Sequence, residues 1–222
     1  AGMSTIGWVG TGVMGQSMCG HLLAAGHSVR VHSRTKTKAA TLLAAGAQWC
    51  EQPGDVAKEA EFVFSIVGYP ADVRSVYLDE GSILDQAAPG TIVVDMTTSE
   101  PSLAEEISRA AKARGLFSLD APVSGGDLGA RNASLAIMVG GDPEAFERTL
   151  PLFKVMGANI RLMGGPGAGQ HTKMCNQTLI AGTMIGVVES LLYAVRSGLD
   201  VDAVIDVIGS GAAGSWSINN LG

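Results

Sequence analysis

An apolar run from Thr5 to Val9 passes directly into Gly10-Thr11-Gly12-Val13-Met14-Gly15, and an apolar-periodic stretch reaching Ala25 follows. Strand, glycine turn and helix in that order constrain the fold more than any other feature of the chain. In such a unit the first glycine permits a tight turn, the second bares the backbone for close approach of a pyrophosphate, and the third lets helix pack on strand. The free N–H groups at the start of the helix then face the anion. Gly10, Gly12 and Gly15 are assigned these three roles.

Apolar and helical periods continue to alternate. Strands are expected at Ser28 to His32, Glu61 to Val67, Thr91 to Met96, Phe117 to Asp120, Leu135 to Val139 and Ile160 to Met163. Between them lie helical stretches near Lys38 to Ala45, Ala71 to Tyr77, Pro101 to Arg114 and Pro143 to Phe153. This alternation predicts an α/β fold, a doubly wound Rossmann-type parallel sheet over residues 1–165 with ligands at the carboxyl ends of its strands. Val67-Gly68, Thr97-Thr98 and the segment from Asp120 onwards then share one rim. Residues 166–222 are read as the start of an all-helical domain, truncated here. It opens with a proline-free helix from Ala168 to Arg196, with Gly198 as its C-cap and Asp200 as N-cap of a second helix ending near Ile208. One long apolar helix and one short one cannot bury each other, so further chain or a second subunit is expected to cover them.

At the tip of the second strand, dinucleotide sites for NAD place an acid on the ribose 2′-hydroxyl. Here the tip reads His32-Ser33-Arg34-Thr35-Lys36. A hydroxyl and a guanidinium suit a 2′-phosphate, and Lys36 or Lys38 adds charge. No Asp or Glu precedes Glu51, so this basic patch stands locally uncompensated in a chain whose net charge is −6. NADP(H) is therefore expected in preference to NAD(H). The overall acidity argues against nucleic-acid or anionic-membrane partners.

Two further stretches carry chemistry. Asp120-Ala-Pro-Val-Ser-Gly-Gly126 sets two glycine N–H groups beside a hydroxyl, a concavity suited to an anion. Gly164-Gly-Pro-Gly-Ala-Gly-Gln-His-Thr-Lys-Met-Cys-Asn-Gln177 feeds a helix on which Lys173, Asn176 and Gln177 share a face. A lysine turned toward an interface rather than water is costly without a use, and donating a proton to an oxygen that becomes negative is such a use. Taken alone, this stretch fits a solvated lysine equally well.

Three widely spaced cysteines and four histidines form neither a disulfide framework nor a ligand set, so no metal is expected and a reducing cytoplasm fits. Nothing after Met3 resembles a signal or targeting segment. Thr178 to Val195 nearly reaches spanning length, but Glu189 interrupts it, and a helix buried between domains or subunits is expected instead of a membrane span.

With the glycine fingerprint, Asp-Ala-Pro-Val-Ser-Gly-Gly and Gly-x-Gly-x-x-x-Lys-x-x-Asn in this order along the whole chain, the sequence resembles the β-hydroxyacid dehydrogenase family. Its members include 3-hydroxyisobutyrate dehydrogenases, tartronate semialdehyde reductases and glyoxylate/succinic semialdehyde reductases. The resemblance implies cofactor contacts from Gly10, Thr11, Gly12, Val13, Met14 and Gly15, from Ser33, Arg34 and the adjoining Thr35, and from Val67, Gly68 and Thr98. It implies that Ser124, Gly125 and Gly126 hold a substrate carboxylate, with Asn176 or Gln177 also in reach, and that Lys173 is the acid/base. The expected reaction is hydride exchange between NADP(H) and a short hydroxy acid or its semialdehyde, in a homo-oligomer joined through the helical domain. Two departures stand out. Val67-Gly68 replaces the frequent Leu-Pro, expected to loosen that wall of the cofactor site, and Gln177 stands where some relatives have asparagine. An imine reductase, or a non-catalytic NADPH-binding interaction protein on the same scaffold, stays open, although the former usually lacks the lysine.

Overall fold

The computed structural model describes residues 2–222. In chain order the elements are β1 (Thr5–Val9), α1 (Val13–Ala24), β2 (Ser28–His32), α2 (Ala40–Ala44), β3 (Gln48–Trp49), β4 (Phe62–Ser65), α3 (Pro70–Leu78), α4 (Ile83–Gln86), β5 (Ile92–Asp95) and α5 (Pro101–Ala113). There follow β6 (Phe117–Asp120), β7 (Val123–Ser124), α6 (Gly126–Arg131), β8 (Leu135–Gly141), α7 (Pro143–Met156), β9 (Gly157–Gly164), α8 (Ala168–Arg196), α9 (Val201–Gly209) and α10 (Trp216–Leu221). The chain divides into two compact units, residues 1–173 and 174–222, with the boundary inside α8.

In the first unit one sheet runs β3-β2-β1-β4-β5-β6-β8-β7, with β9 paired to β8. From β3 to β6 every pairing is parallel, as the alternation predicts. β8 departs from that expectation: it is antiparallel to β6, with Asp120 opposite Gly140, and to β7, with Ser124 opposite Ala136. Residues 121–134 hold only a two-residue strand and a six-residue helix, too little to return the chain to the far end of the sheet, so β8 runs back toward β6 from beyond its carboxyl end and meets it only at Gly140 and Gly141.

Burial on both faces explains the near-continuous apolar strands. Trp8, Phe64, Val94 and Leu119 face a core shared with α1 and α7, while Val9, Val63 and Val93 face one shared with α3, α4 and α5. α5 supplies Leu103, Ile107 and Ala111 at helical spacing. Trp8 is fully buried, stacks on Phe64 at 5.7 Å, and its indole N–H donates to Gly10 O at 2.7 Å. The core thereby grips the glycine turn directly.

In the second unit the rest of α8 leads to α9, whose N-cap Asp200 accepts from Asp202 N and Ala203 N as expected, and then to α10, capped by Ser215. By length and composition alone α8 could cross a membrane: its qualifying window has mean hydropathy 1.7 and is only 11% buried. Leu179, Ile185, Leu192 and Tyr193 are exposed along α8.

Candidate active site

The glycine turn follows the three assigned roles. Gly10 has φ +101°, and a Cβ there would stand 2.0 Å from Ile66 O. At Gly15 a Cβ would stand 2.3 Å from Gly10 O, so α1 lies directly on the turn. Gly12 differs, since nothing lies within 4 Å of its Cβ position, which leaves the backbone bare to an incoming group. Gly12 is also the N-cap of α1 and offers no side chain to the helix's free N–H groups. Among the described residues Thr11 Oγ1 is buried and has no partner. Bare backbone, unclaimed helix donors and an orphan hydroxyl fit a dinucleotide pyrophosphate. Val13 is exposed beside them and Met14 is half-buried.

Gly10 N donates to His32 O at 3.0 Å and so ties this turn to the β2 tip. There Ser33 is half-buried, while Arg34 and Thr35 are exposed. The tip is not free of acid in space. Arg34 Nη1 lies 3.3 Å from Asp72 Oδ1 on α3, and Lys36 sits 3.9 Å from Glu51 and 5.2 Å from the centre of the Trp49 ring. Asp72 is also the N3 carboxylate of α3, accepting from Tyr69 N at 3.0 Å. A Cβ on Gly68 would come within 2.8 Å of Asp72 Oδ2, so the glycine makes room for this cap. Val67 N donates to Thr97 Oγ1 at 3.0 Å. The Val67-Gly68 wall is thereby tied to the loop after β5.

Below the wall lies a buried polar cluster. Asp95 Oδ1 accepts from Ser65 Oγ at 2.9 Å and from Thr97 N at 3.1 Å, and Ser65 Oγ lies 2.7 Å from Tyr77 OH. Burial pushes the Asp95 carboxyl up to about 6, against the opposing pull of its hydrogen bonds from Thr97 and Ser65.

The start of α8 is fixed by two side chains. Asp120 Oδ1 accepts from Gly167 N at 2.8 Å and Oδ2 from Gln170 N at 2.9 Å, so a carboxylate from β6 satisfies the helix's first donors. Gly140 and Gly169 leave no space for any larger residue, since a Cβ on either would fall within 2.8 Å of Asp120 atoms. Gln170 Nε2 donates to Thr97 O at 2.7 Å, and Gln170 Oε1 accepts from Ser99 N at 2.9 Å. One turn later Lys173 is 8% exposed, and burial holds its ammonium below the usual lysine range. Of the two environments open to it, the structure gives this lysine the buried one.

Ser124 ends β7, and Gly125 and Gly126 follow with φ of +131° and +61°. Two successive glycines in the left-handed region expose the N–H groups that the anion concavity needs. Thr98 is exposed on the loop after β5. Asn176 and Gln177 belong to the second unit, where Asn176 Nδ2 donates to Gln177 Oε1 at 3.0 Å. The structure thus joins Lys173 to the Thr97–Ser99 loop through Gln170, and Arg34 to the Val67-Gly68 wall through Asp72. Sequence reading missed both connectors. Pro70-Ala71-Asp72 does carry a capping signal, but nothing local aims that carboxylate at Arg34, thirty-eight positions earlier. Among the described residues no cluster of potential metal ligands occurs.

Comparison with known proteins places this geometry. Residues 5–165 match the family described as the NAD binding domain of 6-phosphogluconate dehydrogenase, and residues 167–222 that described as NAD-binding of NADP-dependent 3-hydroxyisobutyrate dehydrogenase. The uncharacterized oxidoreductase YkwC of Bacillus subtilis is 54% identical over 98% of this chain and 75% of its own length. An NAD-dependent L-serine dehydrogenase of Pseudomonas aeruginosa is 39% identical over 97% of this chain and 72% of its own. Among solved structures, Mycobacterium tuberculosis 3-hydroxyisobutyrate dehydrogenase with L-serine superposes with a TM-score of 0.90 at 34% identity, covering 99% of this chain and 74% of that one. Family models that together cover residues 5–165 and 167–222, and relatives matched over almost the whole chain, show that it belongs to the β-hydroxyacid dehydrogenase family of NAD(P)-dependent oxidoreductases.

Proposed function

We propose that the protein interconverts a short hydroxy acid and its semialdehyde with NADP(H), and that Lys173 is the general acid/base. The observation that carries this reading is a lysine at 8% exposure, lowered by burial, one turn beyond a helix start that is pinned to two strand-end loops. Gly10 to Gly15 and the first turn of α1 would hold the pyrophosphate, Ser33, Arg34 and Thr35 the adenosine end, and Val67, Gly68 and Thr98 the path between. When bound, the cofactor supplies or accepts the hydride.

The chain's own residues do the rest. In reduction, the Lys173 ammonium gives its proton to the oxygen of the reacting carbonyl as negative charge develops there. In oxidation, the neutral amine removes the hydroxyl proton, and a depressed pKa makes that form available at lower pH than for a free lysine. Ser124 and the N–H groups of Gly125 and Gly126 orient the remote carboxylate, so that binding energy serves positioning. Preference for NADP(H) rests on Arg34 and on the absence of an acid at the β2 tip itself. The NAD-dependent L-serine dehydrogenase relative makes coenzyme choice a matter for direct measurement. Exposed apolar side chains along α8 support a homo-oligomeric contact, and the acidic, disulfide-free chain suits the cytoplasm.

Lys173→Ala is the decisive variant. With NADPH and a panel of glyoxylate and succinic, tartronate and methylmalonate semialdehydes, turnover should fall by about a thousandfold or more while the NADPH dissociation constant stays within about threefold. Retained turnover would sink the assignment.

A further inference from the structure

We infer that Gln170 is a positioning residue for this reaction: its carboxamide sets the Lys173-bearing turn of α8 against the Thr98 loop by pairing with the backbone on both sides of Thr98. The inference rests on the reading of Lys173 as the acid/base. Three observations carry it.

First, the side chain is 2% exposed and both of its polar ends are matched, Nε2 to Thr97 O at 2.7 Å and Oε1 to Ser99 N at 2.9 Å. Only one amide orientation works, because the flipped form would set N–H against N–H and oxygen against oxygen. The carboxamide thus meets residues 97 and 99 as a neighbouring strand would, and the intervening Thr98 is left exposed.

Second, Gln170 precedes Lys173 by three residues, so the two share a helix face on adjacent turns. Through one side chain, the proton-transfer group and the loop proposed to meet the cofactor are fixed to each other. Third, α8 does not need this carboxamide in order to start. Asp120 already accepts from Gly167 N and from Gln170's own N–H, and the tight seats of Gly140 and Gly169 hold the helix against β6 and β8. A buried carboxamide beyond those fastenings costs desolvation unless its two bonds serve placement.

The test compares Gln170→Met, which keeps length and loses both bonds, with Gln170→Glu. The latter always accepts from Ser99 N but donates toward Thr97 O only when protonated. Steady-state kinetics with NADPH and whichever short semialdehyde acid is turned over are normalised to the folded fraction from thermal melts, with Lys173→Ala run alongside. Gln170→Met is expected to lower kcat by about tenfold or more while the KM for NADPH rises by less than about threefold. Gln170→Glu should fall between Met and wild type and approach wild type as pH is lowered. Wild-type kcat in Gln170→Met beside a dead Lys173→Ala would overturn the positioning role. So would a loss explained wholly by the folded fraction, or Gln170→Glu matching Gln170→Met at every pH. An active Lys173→Ala would instead remove the reading of the site on which the inference stands.

Discussion

The two ends of the candidate cofactor groove are built by opposite means. At the α8 end, Asp120, Gln170, Thr97 and Asp95 are buried and joined by hydrogen bonds of 2.7–3.1 Å, and glycines at 140 and 169 have no room for a Cβ. At the β2 end the Arg34 side chain is 81% exposed and is steadied by one ion pair to Asp72. Buried, fully matched networks specify a single geometry, whereas exposed ion pairs contribute little and yield to a competing anion. The difference suits the two tasks proposed for these ends. Proton transfer needs atoms held in place, and grasping a 2′-phosphate needs a guanidinium able to leave its carboxylate.

The comparison breaks most visibly at Gly169. Gly169→Ala would drive a Cβ to 2.4 Å from Met138 O and 2.6 Å from Asp120 O, both backbone atoms that cannot swing aside. A loss of at least about 3 kcal/mol in denaturant unfolding is expected. Gly12→Ala, with open space around it, should leave stability almost unchanged.

The next effect is pH dependence confined to the buried end. The folded Asp95 carboxyl is raised from 3.8 to about 6, so between those values the native state keeps a proton that the unfolded chain has lost. Its contribution is greatest below pH ~4 and disappears as pH rises through ~6, a decline of roughly 2–3 kcal/mol. Burial raises Asp120 as well and steepens the same slope. Unfolding free energies measured from pH 4 to 7 should therefore fall, and Asp95→Asn, which retains an acceptor for Ser65 and Thr97, should flatten the curve. An unchanged slope would mean that Asp95 is not the titrating group.

At the exposed end the effects are smaller. Arg34→Ala should weaken NADPH binding by about tenfold, with NADH affinity nearly unchanged, as seen by fluorescence titration. Equal losses for both cofactors would deny Arg34 its part in selecting the 2′-phosphate. Smallest of all, Asp72→Asn should cost less than about 1 kcal/mol of stability while tightening NADPH binding, because the guanidinium loses its competing partner.

Much of this was legible in the chain. The glycine turn reads directly because each glycine answers a local steric demand, and the strand–helix alternation follows from period alone. Lys173 could be singled out by its placement on a helix after a glycine turn, yet its burial depends on packing against elements distant in sequence. Strand direction at β8 was lost because apolar alternation is blind to it. The signal lay in the shortness of residues 121–134. Asp72 and Gln170 escaped for a common reason: their partners, Arg34 and the Thr97–Ser99 loop, are 38 and more than 70 positions away, and no local pattern names them.

Thr97 has a consequence for how such a chain can vary. Its N–H goes to Asp95, its hydroxyl accepts from Val67 N, and its carbonyl accepts from Gln170. Serine could reproduce all three bonds, whereas alanine or valine would orphan the Val67 amide. An apolar residue at this position would therefore free the Val67 wall, whereas the exposed Arg34, Thr98 and Tyr69 can be exchanged without breaking any of the three bonds.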